Sequence, residues 1–249
     1  MIRAIYRKLL SEKKRNQIRR NLRKMMSFRY KGDRFYCNFC ERSFSKMLSR
    51  SGRPSAECPY CASLERTRLL LHYLNDQTDI FNKHISVLHF APAVCLFDKL
   101  VNLDIEYIDA DYNIANARYK EDITDISYAD DYFDLIICSH VLGHVGDEAM
   151  AMREMKRVLK PSGKAIIITY IVLEATQTRD DPNINTAKLR KEHYGELDCL
   201  RLHGMNFDKL LEAQGFDVEL INYRDSMDPE VVLKESLGVC GKEWIYLCK

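Results

Sequence analysis

Apolar runs of five to eight residues recur through the last two thirds of the chain, separated by amphipathic stretches. Four of these runs predict buried strands, at 86–90, 106–110, 133–139 and 164–171. Residues 147–159 instead carry apolar side chains at helical spacing, which predicts a helix between the last two runs. Because strands alternate with helices, we predict a doubly wound α/β fold whose mostly parallel sheet is covered on both faces.

The ends of this pattern set the predicted domain limits. A helical stretch, LERTRLLLHYL, begins at Leu64, and two strand-like runs at 216–223 and 243–248 suit a closing pair with an antiparallel final strand. A chain of 249 residues can bury one sizeable core and carry a small additional module. We therefore predict three regions: an arm at 1–34, a small module at 35–63 and a catalytic-sized domain at 64–249.

The N-terminal arm has its own helical periodicity. Apolar residues share one face in two successive segments, namely Ile2, Ile5 and Leu9, and then Ile18, Leu22 and Met25 or Met26. Ser11 is a suitable cap for the second segment. The pattern predicts two short amphipathic helices.

Charge is distributed unevenly between this arm and the remainder. Residues 1–34 hold 13 Lys and Arg against two acids, a charge of +11, which leaves 25 basic and 34 acidic residues, a charge of −9. Three partners for the arm stay open: the protein's own acidic surface, an anionic membrane contacted through residues 1–26, and RNA. RNA is included because aromatic rings lie among the cations, at Tyr6, Phe28 and Tyr30.

The sequence has no apolar run long enough to span a bilayer, and its basic start lacks the apolar core of a signal peptide. We therefore expect a cytoplasmic protein, peripheral at the inner face of the cytoplasmic membrane if the arm binds lipid. Five cysteines occur singly and are expected to be small buried hydrophobes, namely Cys95, Cys138, Cys199, Cys240 and Cys248.

The other four cysteines form two pairs with metal-site spacing. Cys37 and Cys40 are separated by two residues, as are Cys58 and Cys61, and 17 residues lie between the pairs. This spacing is typical of a zinc ribbon in which four thiolates hold Zn²⁺ tetrahedrally. Since four protein ligands leave no open position, the predicted role of the metal is structural. Glu41 and Ala62 stand where such turns often place glycine, so we expect a strained backbone there, at 41 and 62.

Four segments in order carry a family resemblance. VLHF, EYIDAD, EDITDISYADDYFDLIICSHVLGHV and REMKRVLKPSGKAIIIT resemble the successive motifs of class I S-adenosylmethionine-dependent methyltransferases over residues 85–249. The preceding ribbon and the VLHFAP variant resemble a bacterial subgroup with an N-terminal four-cysteine zinc ribbon, whose members are often associated with glycan biosynthesis. The resemblance implies a Rossmann-like fold and S-adenosylmethionine as methyl donor.

The same resemblance implies a donor site at the carboxyl ends of the strands. Asp111 matches the acid that binds the ribose hydroxyls, with Asp109 as the alternative, and Asp122 matches the position that contacts adenine, with Ile123 beside it. Each acid has a bland alternative, a helix cap for Asp111 and an Asx turn for Asp122. The loop under the methionine end departs from the family, since HFAPAVC replaces its glycine-rich turn, and the remaining implied contacts come from His89, Phe90, Ala91, Pro92 and Ser139.

Candidates for acid–base chemistry follow the fourth strand and occupy an insertion. His140 and His144 are four residues apart, a spacing that also suits a metal pair, although the sequence shows no further cluster around them. Gly143 replaces the acid that the family usually has there. The insertion at 174–206 is expected to form an acceptor lid with several candidate bases and a cation, which could equally be solvated loop residues: His193, Glu196, Asp198, Arg201 and His203. The stretch HYGELDCLRLHG resembles the lid of the same subgroup, which favours Asp198 and Arg201 as catalytic residues.

Three functional interpretations follow. The favoured one is O-methylation of a saccharide or lipid-linked glycan, in which a base would assist a poorly nucleophilic hydroxyl. RNA base methylation is the alternative enzyme, because ribosomal RNA guanine methyltransferases also have a four-cysteine zinc module before this type of domain. A non-catalytic binding module is the third, motivated by the missing glycines.

Overall fold

A computed structural model describes residues 12–115, 117–238 and 243–249. The described strands are β1 (Lys31–Cys37), β2 (Arg42–Phe44), β3 (Leu48–Arg50), β4 (Arg53–Glu57), β5 (Ser86–Phe90), β6 (Glu106–Asp111), β7 (Tyr119–Lys120), β8 (Phe133–Ser139), β9 (Leu159–Ile168), β10 (Val218–Ile221) and β11 (Ile245–Cys248). The described α-helices are α1 (Glu12–Met26), α2 (Glu65–Gln77), α3 (Val94–Leu100), α4 (Glu148–Val158), α5 (Ala187–Tyr194), α6 (Phe207–Glu212) and α7 (Pro229–Glu235). Short 3₁₀ turns occupy Ser27–Tyr30, Leu142–His144 and Tyr223–Ser226.

The chain divides into two compact units. The smaller unit comprises the described residues up to Gln77, with Ala93–Lys99 and 227–238. The larger unit comprises Thr78–Pro92, the described part of Leu100–Ser226, and 243–249.

The larger unit is built on one sheet in the order β10-β11-β9-β8-β5-β6-β7. Strand β5 pairs in parallel with both β6 and β8, β6 pairs in parallel with β7, and β8 pairs in parallel with β9. Strand β11 is antiparallel to both β9 and β10. This arrangement confirms the predicted Rossmann-like, mostly parallel sheet with an antiparallel final strand.

The sheet forms where the sequence is apolar on both faces. All five residues of β5 are buried, as continuous apolar strands in a covered parallel sheet should be. The predicted bounds of β5 and β8 match the structure, whereas β9 begins at Leu159 instead of 164 because the LKPSGK stretch is also extended. Gly163 permits this path, since a Cβ there would lie 2.8 Å from Leu159 Cδ1.

Helix α4 begins and packs much as its pattern predicts. Asp147 caps it, since its carboxylate accepts a hydrogen bond from the Met150 N–H at 2.9 Å. The buried face of the helix consists of Ala151, Met152, Met155 and Val158. Leu159 starts β9, so the predicted helix was one residue too long at that end.

The smaller unit combines helices with two hairpins. Strand β1 pairs with β2 and β3 with β4, both antiparallel, and Gly52 turns the second hairpin at a φ of +78°. Arg68 on α2 is fully buried, and its guanidinium donates to the carbonyls of Ser63 at 2.8 Å, Glu235 at 2.8 Å and Ser236 at 3.0 Å. One side chain thus joins the ribbon to the segment that contains α7.

These contacts explain why the compact units differ from the predicted regions, which were divided at 34 and 63. Helix α2 belongs with the ribbon, and so does the distant segment 227–238, because Arg68 needs acceptors from both. Within the arm, the second predicted helix is present as α1, while the first one and its neighbour Ser11 lie outside the described residues. Among the described residues, no helix has both the length and the apolar character that crossing a bilayer requires.

Candidate active site and cysteine cluster

The carboxyl ends of the parallel strands meet at one edge of the sheet. Phe90, the last residue of β5, pairs with Ala110 on one side and with Cys138 on the other. Residues that follow these three positions are therefore neighbours although they are far apart in sequence. The structure thus places the predicted donor residues Ala91, Asp111 and Ser139 at a common edge.

The loop after β5 adopts a backbone conformation that usually requires glycine. Ala91 has a φ of +46°, and its N–H donates to the Ala110 carbonyl at 2.8 Å. Left-handed conformations are uncommon for residues that have a Cβ. The HFAP loop therefore keeps a left-handed residue at this point even though the family's glycines are missing, and Pro92 follows directly.

The two acids on β6 occupy different environments. Asp109 is 1% exposed and forms an ion pair with the Arg118 side chain, and it also accepts a hydrogen bond from the Arg118 N–H at 2.8 Å. Asp111 is only half-buried at the strand end, where it accepts from the Asn113 N–H at 2.7 Å. Asp109 is therefore committed to Arg118, whereas Asp111 lies where the strand reaches the edge of the sheet.

The side chains that precede the loop are directed into the protein. His89 is 2% exposed, and its Nδ1 lies 2.9 Å from the hydroxyl of Tyr107. Burial lowers the pKa of His89 to about 3, so the ring is neutral. Phe90 is buried in the core. Both were predicted to contact the donor; any such contact would have to come from their backbone, since their side chains have structural roles.

Asp122 and Ile123 follow β7. The Asp122 carboxylate accepts from the Thr124 N–H at 2.9 Å and from the Thr124 hydroxyl at 2.7 Å, which is an Asx turn. The carboxyl group remains exposed, whereas the Ile123 side chain is part of the core. The structure therefore contains the Asx turn that was the structural alternative for Asp122. Contact between Asp122 and adenine stays a prediction.

The segment after β8 is a tight turn. Ser139 is half-buried, and His140 has a φ of +57° while its N–H donates to the Ile168 carbonyl at 2.7 Å. The 3₁₀ turn Leu142–His144 follows. Gly143 lies within this turn and has no side chain, but its carbonyl accepts a hydrogen bond from the Leu200 N–H at 2.8 Å. This bond connects the turn to the insertion.

Arg201, one of the two residues favoured in the predicted lid, binds the main chain of this turn. Its guanidinium is 4% exposed and donates to the carbonyls of Leu142 and Gly146 at 3.0 Å each and to that of Val145. It also pairs with Asp180 at 3.0 Å. These acceptors take four of the five N–H groups of the guanidinium, so Arg201 holds the turn in place, and a catalytic role for it stays a prediction.

A second buried network lies beside Arg201. His203 is 1% exposed, with Nδ1 2.7 Å from the Thr169 hydroxyl and Nε2 2.9 Å from Glu148. Glu148 also lies 3.6 Å from the Arg201 guanidinium. The sequence did not predict roles for Thr169, Glu148 or Asp180. Thr169 is marked only as a polar residue directly after β9, and the two acids only by their positions near the ends of predicted elements.

His144 is placed between two carboxylates of the insertion. Its Nδ1 lies 3.5 Å from Asp198 and its Nε2 lies 3.7 Å from Glu196. The ring is about one third exposed, and both acids are largely exposed. Gly195, with a φ of +86°, ends α5 in a left-handed cap and turns the chain toward these two acids.

The structure groups His144 with these two acids, and not with His140, the other histidine of the possible metal pair. Among the described residues, the ligand atoms of His144, Glu196 and Asp198 lie close enough to hold a metal ion, and His140 does not belong to that group. Spacing in the chain does not reveal this cluster, because His144 and Glu196 are 52 positions apart. His193, the nearest other histidine of the insertion, is exposed.

The insertion has a small core of its own. Ile184, Tyr194 and Cys199 are buried together, and Leu189 and Leu202 pack against them. Main-chain hydrogen bonds join its two ends to each other, since the N–H groups of Arg179 and Leu202 each donate to the other's carbonyl. The predicted lid region, 174–206, is therefore an ordered substructure.

The four predicted metal ligands converge in the smaller unit. The Sγ atoms of Cys37 and Cys61 are 3.6 Å apart and those of Cys40 and Cys58 are 3.8 Å apart. Sulfurs at the corners of a tetrahedron with Zn–S bonds of about 2.3 Å would be about 3.8 Å apart. The spacing of the sulfurs therefore fits a zinc ion.

The two turns of this cluster share one backbone geometry. The N–H of Glu41 donates to the Cys37 carbonyl at 2.8 Å, and the N–H of Ala62 donates to the Cys58 carbonyl at 3.1 Å. Glu41 and Ala62 have φ angles of +53° and +63°, where glycine is favoured. The left-handed backbone expected at these positions is present.

Of the single cysteines, those at 138, 199 and 248 are buried as expected, whereas Cys95 is half-buried and Cys240 lies outside the described residues.

The neutral ring of His89 should make stability depend on pH. Its pKa is about 3 in the folded protein against 6.5 ordinarily, so its contribution is fully present above about pH 6.5 and is lost as the pH falls toward 3. We expect this group to lower the free energy of unfolding by about 2 kcal/mol between pH 7 and pH 5. In urea unfolding, His89→Gln should remove that loss and the exposed control His193→Gln should keep it; an unchanged pH dependence in His89→Gln would refute the assignment.

The central segment of the chain matches a known protein family. Residues 86–167 match a family described as a methyltransferase domain. Over 51 residues the chain is 39% identical to the ubiquinone/menaquinone biosynthesis C-methyltransferase UbiE of Bdellovibrio bacteriovorus, a match that covers 20% of this chain and 22% of that protein. It is 34% identical over 118 residues to the methyltransferase GfsG of Streptomyces halstedii, covering 45% of this chain and 40% of that protein.

The matches thus span less than half the length of these curated relatives. A solved S-adenosylmethionine-dependent methyltransferase from Mesorhizobium loti superposes with a TM-score of 0.49 at 14% identity, covering 68% of this chain and 93% of that chain. The family match covers β5 to β9, the strands whose ends form the edge described above. Residues 86–167 are thus similar to a methyltransferase domain over the strands of the parallel part of the sheet.

Proposed function

We propose that this protein transfers a methyl group from S-adenosylmethionine to an acceptor bound under the insertion. The observation that carries the proposal is the separation of roles on β6, where Asp109 is buried against Arg118 while Asp111 stands at the open strand end. A carboxylate at this position of a Rossmann-like sheet suits two ribose hydroxyls. The left-handed Ala91 and the exposed Asp122 lie on loops that follow β5 and β7, the two strands that flank β6.

When bound, S-adenosylmethionine supplies a methyl group on a positively charged sulfur, and transfer leaves a neutral thioether. The chain's own residues then have two tasks, to hold both partners in line and to exclude water. Arg201 fixes the turn after β8, and the network of His203, Thr169 and Glu148 fixes the insertion beside it. These residues position the site without touching the reacting atoms.

We propose further that the acceptor is a hydroxyl, in a saccharide or lipid-linked glycan, and that His144 is its base. His144 follows β8 at the carboxyl edge, and Asp198 lies 3.5 Å from Nδ1. As the new C–O bond forms and the C–S bond breaks, His144 would take the hydroxyl proton, and Asp198 would stabilise the resulting imidazolium. A hydroxyl needs such a base more than an amine does, which is why this arrangement favours O-methylation.

RNA base methylation and a non-catalytic binding module compete with this proposal. No described contact specifically favours RNA at the edge of the sheet. A binding module would bind the donor without transferring its methyl group, so binding and turnover have to be measured separately. A divalent cation held by His144, Glu196 and Asp198 would be recognised by a rate that depends on added Mg²⁺ or Mn²⁺.

We also propose that the cysteine cluster holds a structural Zn²⁺. The support is the convergence of the four sulfurs, which all lie within 4.8 Å of one another, and the N–H of Tyr60, which is directed at Cys58 Sγ at 3.4 Å. Four thiolates close the coordination sphere, so the metal would stabilise the ribbon and take no part in methyl transfer. The described cysteines form no disulfide, which fits the proposed cytoplasmic location.

Donor binding should depend on Asp111. Replacing it by alanine removes charge-assisted hydrogen bonds to two hydroxyls, each worth about 1.5–3 kcal/mol, so calorimetry should show at least tenfold weaker binding of S-adenosylmethionine. Asp104→Ala, at a fully exposed acid, is the control and should bind like the wild type. Asp109→Ala should unfold more readily through loss of the Arg118 pair. If Asp109→Ala folds normally and alone loses donor binding, the ribose acid has been misassigned by two residues.

Turnover should depend on His144 while donor binding does not. With a radiolabelled donor and a pool of saccharide and lipid-linked saccharide acceptors, His144→Gln should lower the rate by about 10²–10⁴-fold at unchanged donor affinity. His193→Gln, a matched change at an exposed histidine of the same insertion, should be silent. A His144→Gln enzyme of full activity would exclude the proposed base, and donor binding without transfer to any acceptor would favour the binding module.

Zinc should be present at about one ion per chain. Cys58→Ser should lower both the zinc content, measured by mass spectrometry, and the thermal stability, because three thiolates hold the ion poorly. Cys199→Ser is the control, since this buried cysteine lies outside the cluster and its loss should leave the zinc in place. A zinc-free wild type as stable as the loaded protein would contradict the proposal.

A further inference from the structure

Helix α1 contacts the rest of its unit through its polar side. Arg20 forms an ion pair with Asp98 at 2.6 Å, Arg23 pairs with Glu57, and Ser27, just beyond the helix, is buried. These three positions are spaced by three and four residues, so they share one helical face. Arginines, and not apolar side chains, therefore attach the helix.

The opposite side of α1 is apolar and exposed. Ile18, Leu22, Met25 and Met26 are 37%, 50%, 70% and 52% exposed. With about 100° between successive residues, this stripe is centred roughly opposite Arg20 and Ser27. An amphipathic helix of a globular protein normally turns its apolar stripe inward, so the orientation of α1 is reversed.

Positive charge surrounds the exposed stripe. The helix contains seven Lys and Arg and one Glu. Lys14 and Arg19 are exposed and border the stripe on its two sides, and Arg29 and the 63%-exposed Phe28 follow directly after the helix. Apolar side chains flanked by cations match the boundary of a bilayer, where acyl chains lie beneath anionic headgroups.

We propose that α1 binds the surface of an anionic phospholipid membrane, with Ile18, Leu22, Met25 and Met26 inserted between the headgroups. Arg20 and Arg23 keep the helix attached to the protein, while exposed cations beside the stripe, among them Arg19, contact lipid phosphates. Asp98 and Glu57, the acids that pair with Arg20 and Arg23, lie on the side of α1 opposite the apolar stripe. This proposal does not depend on the identity of the methyl acceptor or on turnover.

The test is co-sedimentation of the full chain with vesicles at low salt. Wild type should bind vesicles that contain phosphatidylglycerol and should not bind pure phosphatidylcholine. Leu22→Ser combined with Met25→Ser should weaken binding at least tenfold although every cation remains. Because both side chains are already exposed, the variant should keep its thermal stability. Leu233→Ser is the matched control, since this leucine on α7 of the same unit is 73% exposed and lies outside the stripe.

Several results would overturn the proposal. A wild type that does not sediment with anionic vesicles excludes it, and so does a double serine variant that binds as tightly as the wild type. Sedimentation velocity without lipid tests whether the stripe binds a second copy of the chain. A wild-type dimer that is absent in the double serine variant would assign the stripe to self-association. Binding to a single-stranded RNA probe without any vesicle binding would assign the charge to nucleic acid.

Discussion

The parallel pairing of β5 with both β6 and β8 is the constraint on which the site depends. A buried strand must satisfy its backbone N–H and C=O groups through its neighbours, and β5 does so on both sides. Parallel pairing brings the carboxyl ends of all three strands to one edge. Main-chain pairing therefore brings together Ala91, Asp111 and Ser139, and their side chains are not needed for this.

At that edge, burial decides which polar residues serve the fold and which remain for a ligand. Asp109 and Asp111 have the same side chain and differ by two positions, yet only Asp109 lies deep enough to require a compensating cation. The insertion shows the same division. Arg201 is buried and donates to three carbonyls and to Asp180, whereas His144 and its two acids are partly or largely exposed. Chemistry is expected where the polar groups are incompletely committed.

The parts of the structure that the sequence predicted are those determined locally. Strands β5 and β8 have the predicted bounds because a short apolar run in a covered sheet is visible in the chain itself. The left-handed residues at 41 and 62 follow from the spacing of the cysteines. Arg68 and Arg201 could not be interpreted in this way, since their acceptors come from residues 167 and 59 positions away. The same holds for His144, whose acids enter from the insertion.

The separate small core of the insertion has a consequence for divergence. Ile184, Tyr194 and Cys199 form a small core within this segment, while the sheet has its own larger core. Substitutions in cores that share few partners have nearly additive effects on stability. Evolution, or an engineer, could therefore vary the apolar residues of the insertion without repacking the strands that carry Asp111, as long as Arg201 and His203 keep their bonds to the turn after β8 and to Glu148.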